Sequence, residues 1–365
     1  MLIRPILLAS TLACSSATTP RTAYPSAAPK TTTPVEVSQG AREVPRELGR
    51  VDFSRDFEAS LARAKSLGKP VFALFQEVPG CATCVAFGKG PLSHPLLVEA
   101  IEELFVPVAV YNNHPGDDRE VLDRYNEPSW NNPVVRFLDT DGNDLLPRRD
   151  GVWDTNGIAV RAAAALEAAG QEVPLWFQTL VEELKAGPTE RAVFAMSCFW
   201  TGEAQLGKLD GVVNTQAGWY AGREVVEVTY RPGELSQDEL VSAARNLRCA
   251  SRVWAPNAGE GGGSEVLALT GGVGRARESD QLHSLKRTSL RWLPLTPLQA
   301  RRVNAALYDG RSPNAWLSPR QLTLAAEVRK LGRDASSRLG KLERPDEHAQ
   351  LAHYSRALRR ALELN

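Results

Sequence analysis

Cysteine is scarce, five in 365 residues, so the chain is not a small scaffold stapled by disulfides. Net charge is absent as well. Lys+Arg and Asp+Glu stand at 43 each, which leaves no overall field to recruit nucleic acid or an anionic membrane. No stretch reaches the ~20 consecutive apolar residues that a membrane-spanning helix requires. Histidines are few and poorly placed for a metal: His94 and His114 lack ligand spacing, and His348 and His353 are too far apart to share one helical face. Neither a metal nor a cofactor is expected. What remains is ordinary globular composition, 43% hydrophobic and 24% charged, in a chain long enough for two domains.

Charge balance fails locally. His283 to Asn365 holds 16 Lys/Arg against 7 Asp/Glu, read here as a solvated, Arg-rich helical face rather than a nucleic-acid surface. At the other end, Arg4, the apolar run Ile6-Leu-Leu-Ala9 with Leu12, and Ala13-Cys14 resemble a bacterial lipoprotein signal. That resemblance implies lipidation of Cys14 and an exported protein anchored on the periplasmic side of the cell envelope, with membrane contact only through the lipid. Residues 15–47 are rich in Ser, Thr, Pro and Ala without apolar periodicity, as expected of a disordered tether.

Four cysteines are left for the mature chain: Cys81, Cys84, Cys198 and Cys249. Unpaired cysteines are a hazard in an oxidising compartment, so their retention favours chemistry. Val71-Phe-Ala-Leu-Phe75 is a continuous apolar run, the pattern of a strand covered on both faces. Pro79-Gly80 ends it, and Cys81-Ala-Thr-Cys84 opens a helix. There the unpaired N–H groups and the helix dipole favour thiolate on the first cysteine, and the second, one turn on, closes a disulfide. Redox use is favoured over a structural disulfide or a metal site.

Residues 50–187 resemble the thioredoxin-like superfamily in their order of helix, Gly68-Lys-Pro70, apolar strand and Cys-x-x-Cys helix. The resemblance implies a proline facing the dithiol, here Pro133, after a cis bond to Asn132. Val78-Pro-Gly-Cys81 is also similar to a thioredoxin-like group with the motif Val-Pro-Gly-Sec-x-x-Thr, where selenocysteine stands in place of Cys81 and Thr in place of Cys84.

A second cysteine sits in Ser197-Cys-Phe-Trp200, after an apolar strand. Reduction of a methionine sulfoxide needs a thiolate to attack sulfur, an acid to protonate the departing oxygen, and an apolar pocket for the S-methyl group. Residues 191–249 resemble the A-type peptide methionine sulfoxide reductases, on Cys198-Phe-Trp200, Leu209-Asp-Gly-Val-Val-Asn-Thr215 and Glu224-Val-Val-Glu-Val-Thr-Tyr-Arg-Pro232. By that resemblance Cys198 is the nucleophile, Phe199 and Trp200 line the methyl pocket, Glu224 is the proton donor and Tyr220 a further pocket residue. Both flanking glycines are replaced, by Ser197 and Thr201, a long family loop is cut to Gly218–Arg223, and Arg223 replaces a small residue beside the acid. Cys249 is a candidate resolving thiol or a buried, inert one; the dithiol is the other candidate. Asp139, Asp141 and Asp144 have calcium-loop spacing without the closing Glu, so a hairpin turn is expected there.

The expected architecture is therefore an α/β thioredoxin-like domain (48–187), an α+β methionine-sulfoxide-reductase-like domain (188–282) and a helical C-terminal extension (283–365), after a signal (1–14) and tether (15–47). The expected function is thiol-dependent reduction of oxidised methionine in proteins or peptides, with the dithiol as intramolecular reductant and an upstream thiol as its source. Two alternatives stand beside it. One is a thiol–disulfide oxidoreductase or thiol peroxidase acting only through Cys81/Cys84; the other is a peptide-binding module without turnover.

Overall fold

The computed structural model describes residues 44–130, 133–247, 250–257, 266–342, 344 and 348–364. Cys14, the tether up to residue 43, Asn132 and Cys249 lie outside the described residues. No described helix is long and apolar enough to cross a membrane.

The first domain is built on β1 (Val71–Gln76), whose six residues are all buried. It is preceded by α1 (Phe57–Leu67), which the Asp56 carboxylate caps from the amide of Ala59 and which Gly68 ends in a left-handed turn. α2 (Ala82–Lys89) and α3 (Pro95–Leu104) follow, then β2 (Val106–Tyr111), α4 (Asp117–Arg124), β3 (Val134–Leu138), α5 (Thr155–Ala168) and α6 (Leu175–Leu184). β1 is central, parallel to β2 and antiparallel to β3. One core on each face explains its unbroken apolar run: Phe72 and Leu74 face α3, α5 and α6, while Ala73 and Phe75 face α1 and α4. The described residues start at 44, ahead of the expected boundary at residue 48. Arg46–Leu48 forms a helical turn in which Glu47 is only 7% exposed.

The second domain is a six-stranded mixed sheet in the order β8-β7-β4-β6-β5-β9. Its chain order is β4 (Glu190–Met196), α7 (Phe199–Leu206), β5 (Val212–Tyr220), β6 (Arg223–Tyr230), α8 (Gln237–Asn246), β7 (Ala250–Ala255), β8 (Val266–Ala268) and β9 (Gly274–Arg275). Alternation along the strands divides the residues between two cores. Phe194, Val226 and Tyr230 lie with α7 and α8 on one face; Val193, Val225 and Trp254 lie on the other.

The C-terminal extension has its own core, with Leu293, Val303, Leu324 and Leu358 inside it. Its helices are α9 (His283–Lys286), α10 (Pro297–Tyr308), α11 (Pro319–Lys330), α12 (Ala335–Leu339) and α13 (His348–Ala361). It is more than a solvated basic face. Arg302, 5% exposed, reaches Glu182 Oε1 of α6 at 2.9 Å and the carbonyl of Gly207 after α7 at 3.1 Å. Ser318 Oγ and the Arg320 amide donate to the two carboxylate oxygens of buried Glu99 on α3, each at 2.7 Å. The extension therefore clamps both domains, and part of its arginine excess is consumed in doing so. Removing one partner of such a buried pair leaves an uncompensated charge, the expensive case.

One tie in the clamp is sensitive to acid. His94 Nδ1 accepts from the amide of Leu97 at the start of α3, its Nε2 meets His348 Nδ1 at 2.8 Å, and His348 Nε2 meets Glu183 Oε1 at 3.1 Å. With Nδ1 of His94 occupied as an acceptor, the relay is satisfied when both rings are neutral, and one extra proton sets two donors against each other. Burial first, and the neighbouring His348 second, push His94 down to about 4. The folded state thus binds fewer protons than the unfolded chain, whose histidine titrates near 6.5. Its contribution is present above about pH 6.5 and is lost as the pH falls towards 4, on the order of 3 kcal/mol in all. Thermal melts from pH 7 to 4.5 are expected to show this loss, and His94→Asn to flatten it; a slope unchanged in that variant contradicts the assignment.

Candidate functional site

Two sulfur sites take shape. In the first, β1 runs into a loop that crosses a cis peptide bond at Val78–Pro79 before Cys81 caps α2. The loop is braced on both sides. Glu47 Oε1 accepts from the Gly80 amide at 2.9 Å, and Asn113 accepts from the Val78 amide at 3.1 Å while donating to the Pro79 carbonyl at 3.2 Å. Gly80 is required here, since a Cβ would lie 2.2 Å from the Glu77 carbonyl and 2.8 Å from Cys84 Cβ. Sequence reasoning missed Glu47 and Asn113, which lie 33 residues from Gly80 and 35 from Val78.

The two sulfurs lie 3.4 Å apart as free thiols, Cys81 exposed and Cys84 buried. Hydrogen bonding, chiefly from the backbone of Cys84, holds the Cys81 thiol below its ordinary value, whereas burial pushes Cys84 up to about 11. Thiolate at neutral pH therefore belongs to Cys81. Brief iodoacetamide treatment at pH 7 is expected to label Cys81 at least about tenfold faster than Cys84, read by peptide mass; equal labelling contradicts the division. Pro133 is buried, and its carbonyl accepts from Trp153 Nε1 at 3.0 Å. Pairing of Phe75 with Val134 sets Pro133 at the end of the sheet from which the Cys81 loop departs. The expected cis bond before it falls on Asn132, outside the described residues.

In the second site Cys198 ends the β4 connection and caps α7, partly exposed and unpaired. Glu224, on β6, sends its carboxylate to the same helix start, where Oε2 accepts from the Phe199 amide at 3.1 Å. Trp219 pairs across the strands with Glu224, and its ring meets Phe199 edge-on at 5.8 Å. At 52% exposure, Trp219 forms an open wall beside Phe199. Trp200 is stacked on His283 of α9, 3.8 Å apart and within 10° of parallel.

The shortened loop is a two-residue turn, Ala221-Gly222, with both residues at positive φ (48° and 73°), the geometry that joins twisted antiparallel strands. Tyr220 pairs with Arg223 across it. Alternation turns both to the face opposite Glu224. Tyr220 packs on Trp254 and donates to the Thr270 carbonyl at 2.6 Å, so it is not brought to Cys198, and Arg223 is exposed away from the acid. Trp219 stands where a pocket aromatic was expected of Tyr220. Period-two alternation from Glu224 through the short turn is the signal that could have found it. Thr201, in a glycine position of the resembled family, contacts the Tyr308 hydroxyl of α10 at 2.9 Å.

Cys198, Phe199, Trp200 and Glu224 are thus gathered at one helix start; Cys249 lies outside the described residues. Among the described residues no group of three or more His, Cys, Asp or Glu is arranged to hold a metal. The Asp139 carboxylate is occupied by the amides of Asp141 (2.9 Å) and Asn143 (2.8 Å), a turn.

The first domain is thioredoxin-like: residues 52–140 match the family model described as Thioredoxin-like. The chain is also similar to peptide methionine sulfoxide reductases. It is 34% identical to the MsrA protein of Methanococcus maripaludis over 14% of this chain and 45% of that protein. It is 38% identical to MsrA of Geobacter metallireducens over 14% and 43%, and 31% identical to the mitochondrial enzyme of Rattus norvegicus over 24% and 47%. The chain spans less than half the length of these curated relatives. A solved structure titled DsbH Oxidoreductase aligns with 36% of this chain and 92% of that chain at 17% identity and a TM-score of 0.28, too weak a likeness to argue from.

Proposed function

We propose that the chain reduces methionine sulfoxide in peptides or proteins at Cys198. The observation that carries this reading is the Glu224 carboxylate held against the Phe199 amide, one residue from the cysteine, with two aromatic rings beside it. The Cys198 thiolate attacks the sulfoxide sulfur while Glu224 delivers a proton to the oxygen. Oxygen passes to the cysteine, so the sulfoxide is reduced to the thioether and Cys198 is oxidised to the sulfenic acid. A second thiol then displaces water from the sulfenic acid to form a disulfide. Phe199, Trp200 and Trp219 offer the apolar surface for the S-methyl group.

In this proposal the second thiol is Cys249 or comes from the dithiol. Cys81, as the available thiolate, either condenses with the sulfenic acid itself or attacks a Cys198–Cys249 disulfide. Cys84 then attacks the Cys81–Cys198 disulfide, releasing the Cys198 thiolate and closing Cys81–Cys84, and an external thiol reductant resets it. Carrying both sites on one chain raises the effective donor concentration to the order of mM where the geometry permits contact. Export and lipid anchoring through Cys14 belong to the same proposal, tested by whether Cys14→Ala moves the protein from the membrane fraction to the soluble one.

A second reading confines catalysis to Cys81 and Cys84, favoured by the unlike environments of those two thiols. Incubating the reduced full chain with a methionine sulfoxide peptide separates the two. Methionine is formed under the first reading and not under the second.

A further inference from the structure

Three consecutive residues, Gln281-Leu282-His283, carry the chain from the second domain into its C-terminal extension, and each is tied to an element beside Cys198. The buried Gln281 side chain accepts from the Ala217 amide on β5 at 3.1 Å and donates to the Ala217 carbonyl at 2.9 Å. Ala217 precedes Trp219 on the same strand. The Leu282 amide donates to Glu203 Oε2 on α7 at 2.6 Å. His283, the first residue of α9, lays its imidazole flat on the Trp200 indole, 3.8 Å away and 10° from parallel.

The middle residue is strained. Leu282 sits at φ 48° and ψ 50°, the left-handed region that a leucine seldom enters. Such strain persists only where the surroundings over-determine it, and it gathers at functional sites. Here the turn delivers His283 to α7. Trp200 depends on that delivery. Its Nε1 is buried with no hydrogen-bond partner among the described residues, whereas a buried indole N–H ordinarily finds one. No hydrogen bond sets the orientation of the ring; the stack on His283 does, with a looser, tilted contact to Phe199 at 6.1 Å. The imidazole in turn makes no hydrogen bond or ion pair among the described residues, so its ring face is what it contributes.

We propose that His283 is a positioning residue for the pocket beside Cys198: its ring holds the Trp200 indole in the orientation that presents an apolar wall to the S-methyl group of the substrate. The proposal rests on the reading of Cys198 as the site of sulfoxide reduction. It adds to that site a residue from outside the segment 191–249 that resembles the reductases, so the extension completes the pocket. Removing the imidazole leaves α7 docked, since Thr201 and Gln205 still reach Tyr308 and Asp309 at 2.9 and 3.0 Å. The loss falls on the wall and not on Cys198 or Glu224.

Two readouts on the full chain test this. In the first, kcat and KM are measured with a methionine sulfoxide peptide. His283→Ala is expected to raise KM about fivefold or more with kcat within about twofold, because a wall that serves substrate and transition state alike acts on binding. His283→Phe restores a flat ring and is expected to return KM to within about twofold. The second readout needs no turnover. The chain carries fluorotryptophan, and the Trp200 fluorine resonance is assigned by its loss in Trp200→Phe. One sharp line is expected in the unaltered chain and in His283→Phe, and a shifted, broadened or split line in His283→Ala. Should His283→Ala not fold, His283→Gln takes its place. The proposal is overturned if the Trp200 line ignores the loss of the ring, if the phenylalanine variant is as impaired as the alanine one, or if kcat falls with KM unmoved. A chain that forms no methionine overturns the sulfoxide reading instead, and the fluorine line then decides alone whether His283 sets the indole.

Discussion

Replacing Cys198 by serine is expected to lower methionine sulfoxide reduction by at least about 1,000-fold, because a hydroxyl at neutral pH is neither ionised nor a comparable nucleophile towards sulfur. The same variant is expected to keep the rate at which the Cys81/Cys84 dithiol reduces a small disulfide. Cys81 draws its thiolate character from hydrogen bonding, chiefly by the Cys84 backbone at the start of α2, a source internal to the first domain. The side chain of Cys198 is only partly buried at a helix start, so a serine there leaves the fold in place. Parallel assays on one preparation check this. Equal loss in both contradicts the division of labour, and no loss in either moves sulfoxide chemistry away from α7.

Glu224→Gln carries the second large effect. The amide oxygen of glutamine still accepts from the Phe199 amide, so α7 keeps its start; what is lost is the proton. General acids of this kind contribute roughly 100- to 10,000-fold. The expected result is a fall in kcat of about 100-fold or more with KM nearly unchanged, since Phe199 and Trp219 still offer the binding surface. Glu224→Ala adds the loss of the helix-start contact, worth about 1 kcal/mol of stability. A glutamine variant with undiminished kcat assigns proton delivery to another group.

Much of this is legible along the chain wherever the signal is local. The run Val71–Phe75 is apolar at every position because β1 carries a core on each face, and Cys81 caps a helix because Pro79-Gly80 cannot continue the strand. Glu224 is found through the resemblance of the Glu224–Pro232 segment to the reductase family, not through alternation alone. Trp219 was hidden by the loss of the family loop: a two-residue turn with Ala221 at positive φ changes which aromatic shares a face with the acid. Other contacts leave no periodic trace. His94 and His348 meet across 254 residues, and Arg302 reaches back 120 residues to Glu182. An arginine excess looks the same in sequence whether it is solvated or spent on buried carboxylates, so the clamping role of residues 283–365 becomes visible only once the domains are folded.

The most direct measurement is a single turnover. The chain is fully reduced, freed of reductant and mixed with excess methionine sulfoxide peptide; methionine is counted per chain and the cysteines are mapped by mass. The account predicts a burst of at least one methionine per chain, with oxidation on Cys198 as a sulfenic acid or a mixed disulfide that passes to Cys81–Cys84. No methionine, or methionine formed while Cys198 stays a free thiol, contradicts it.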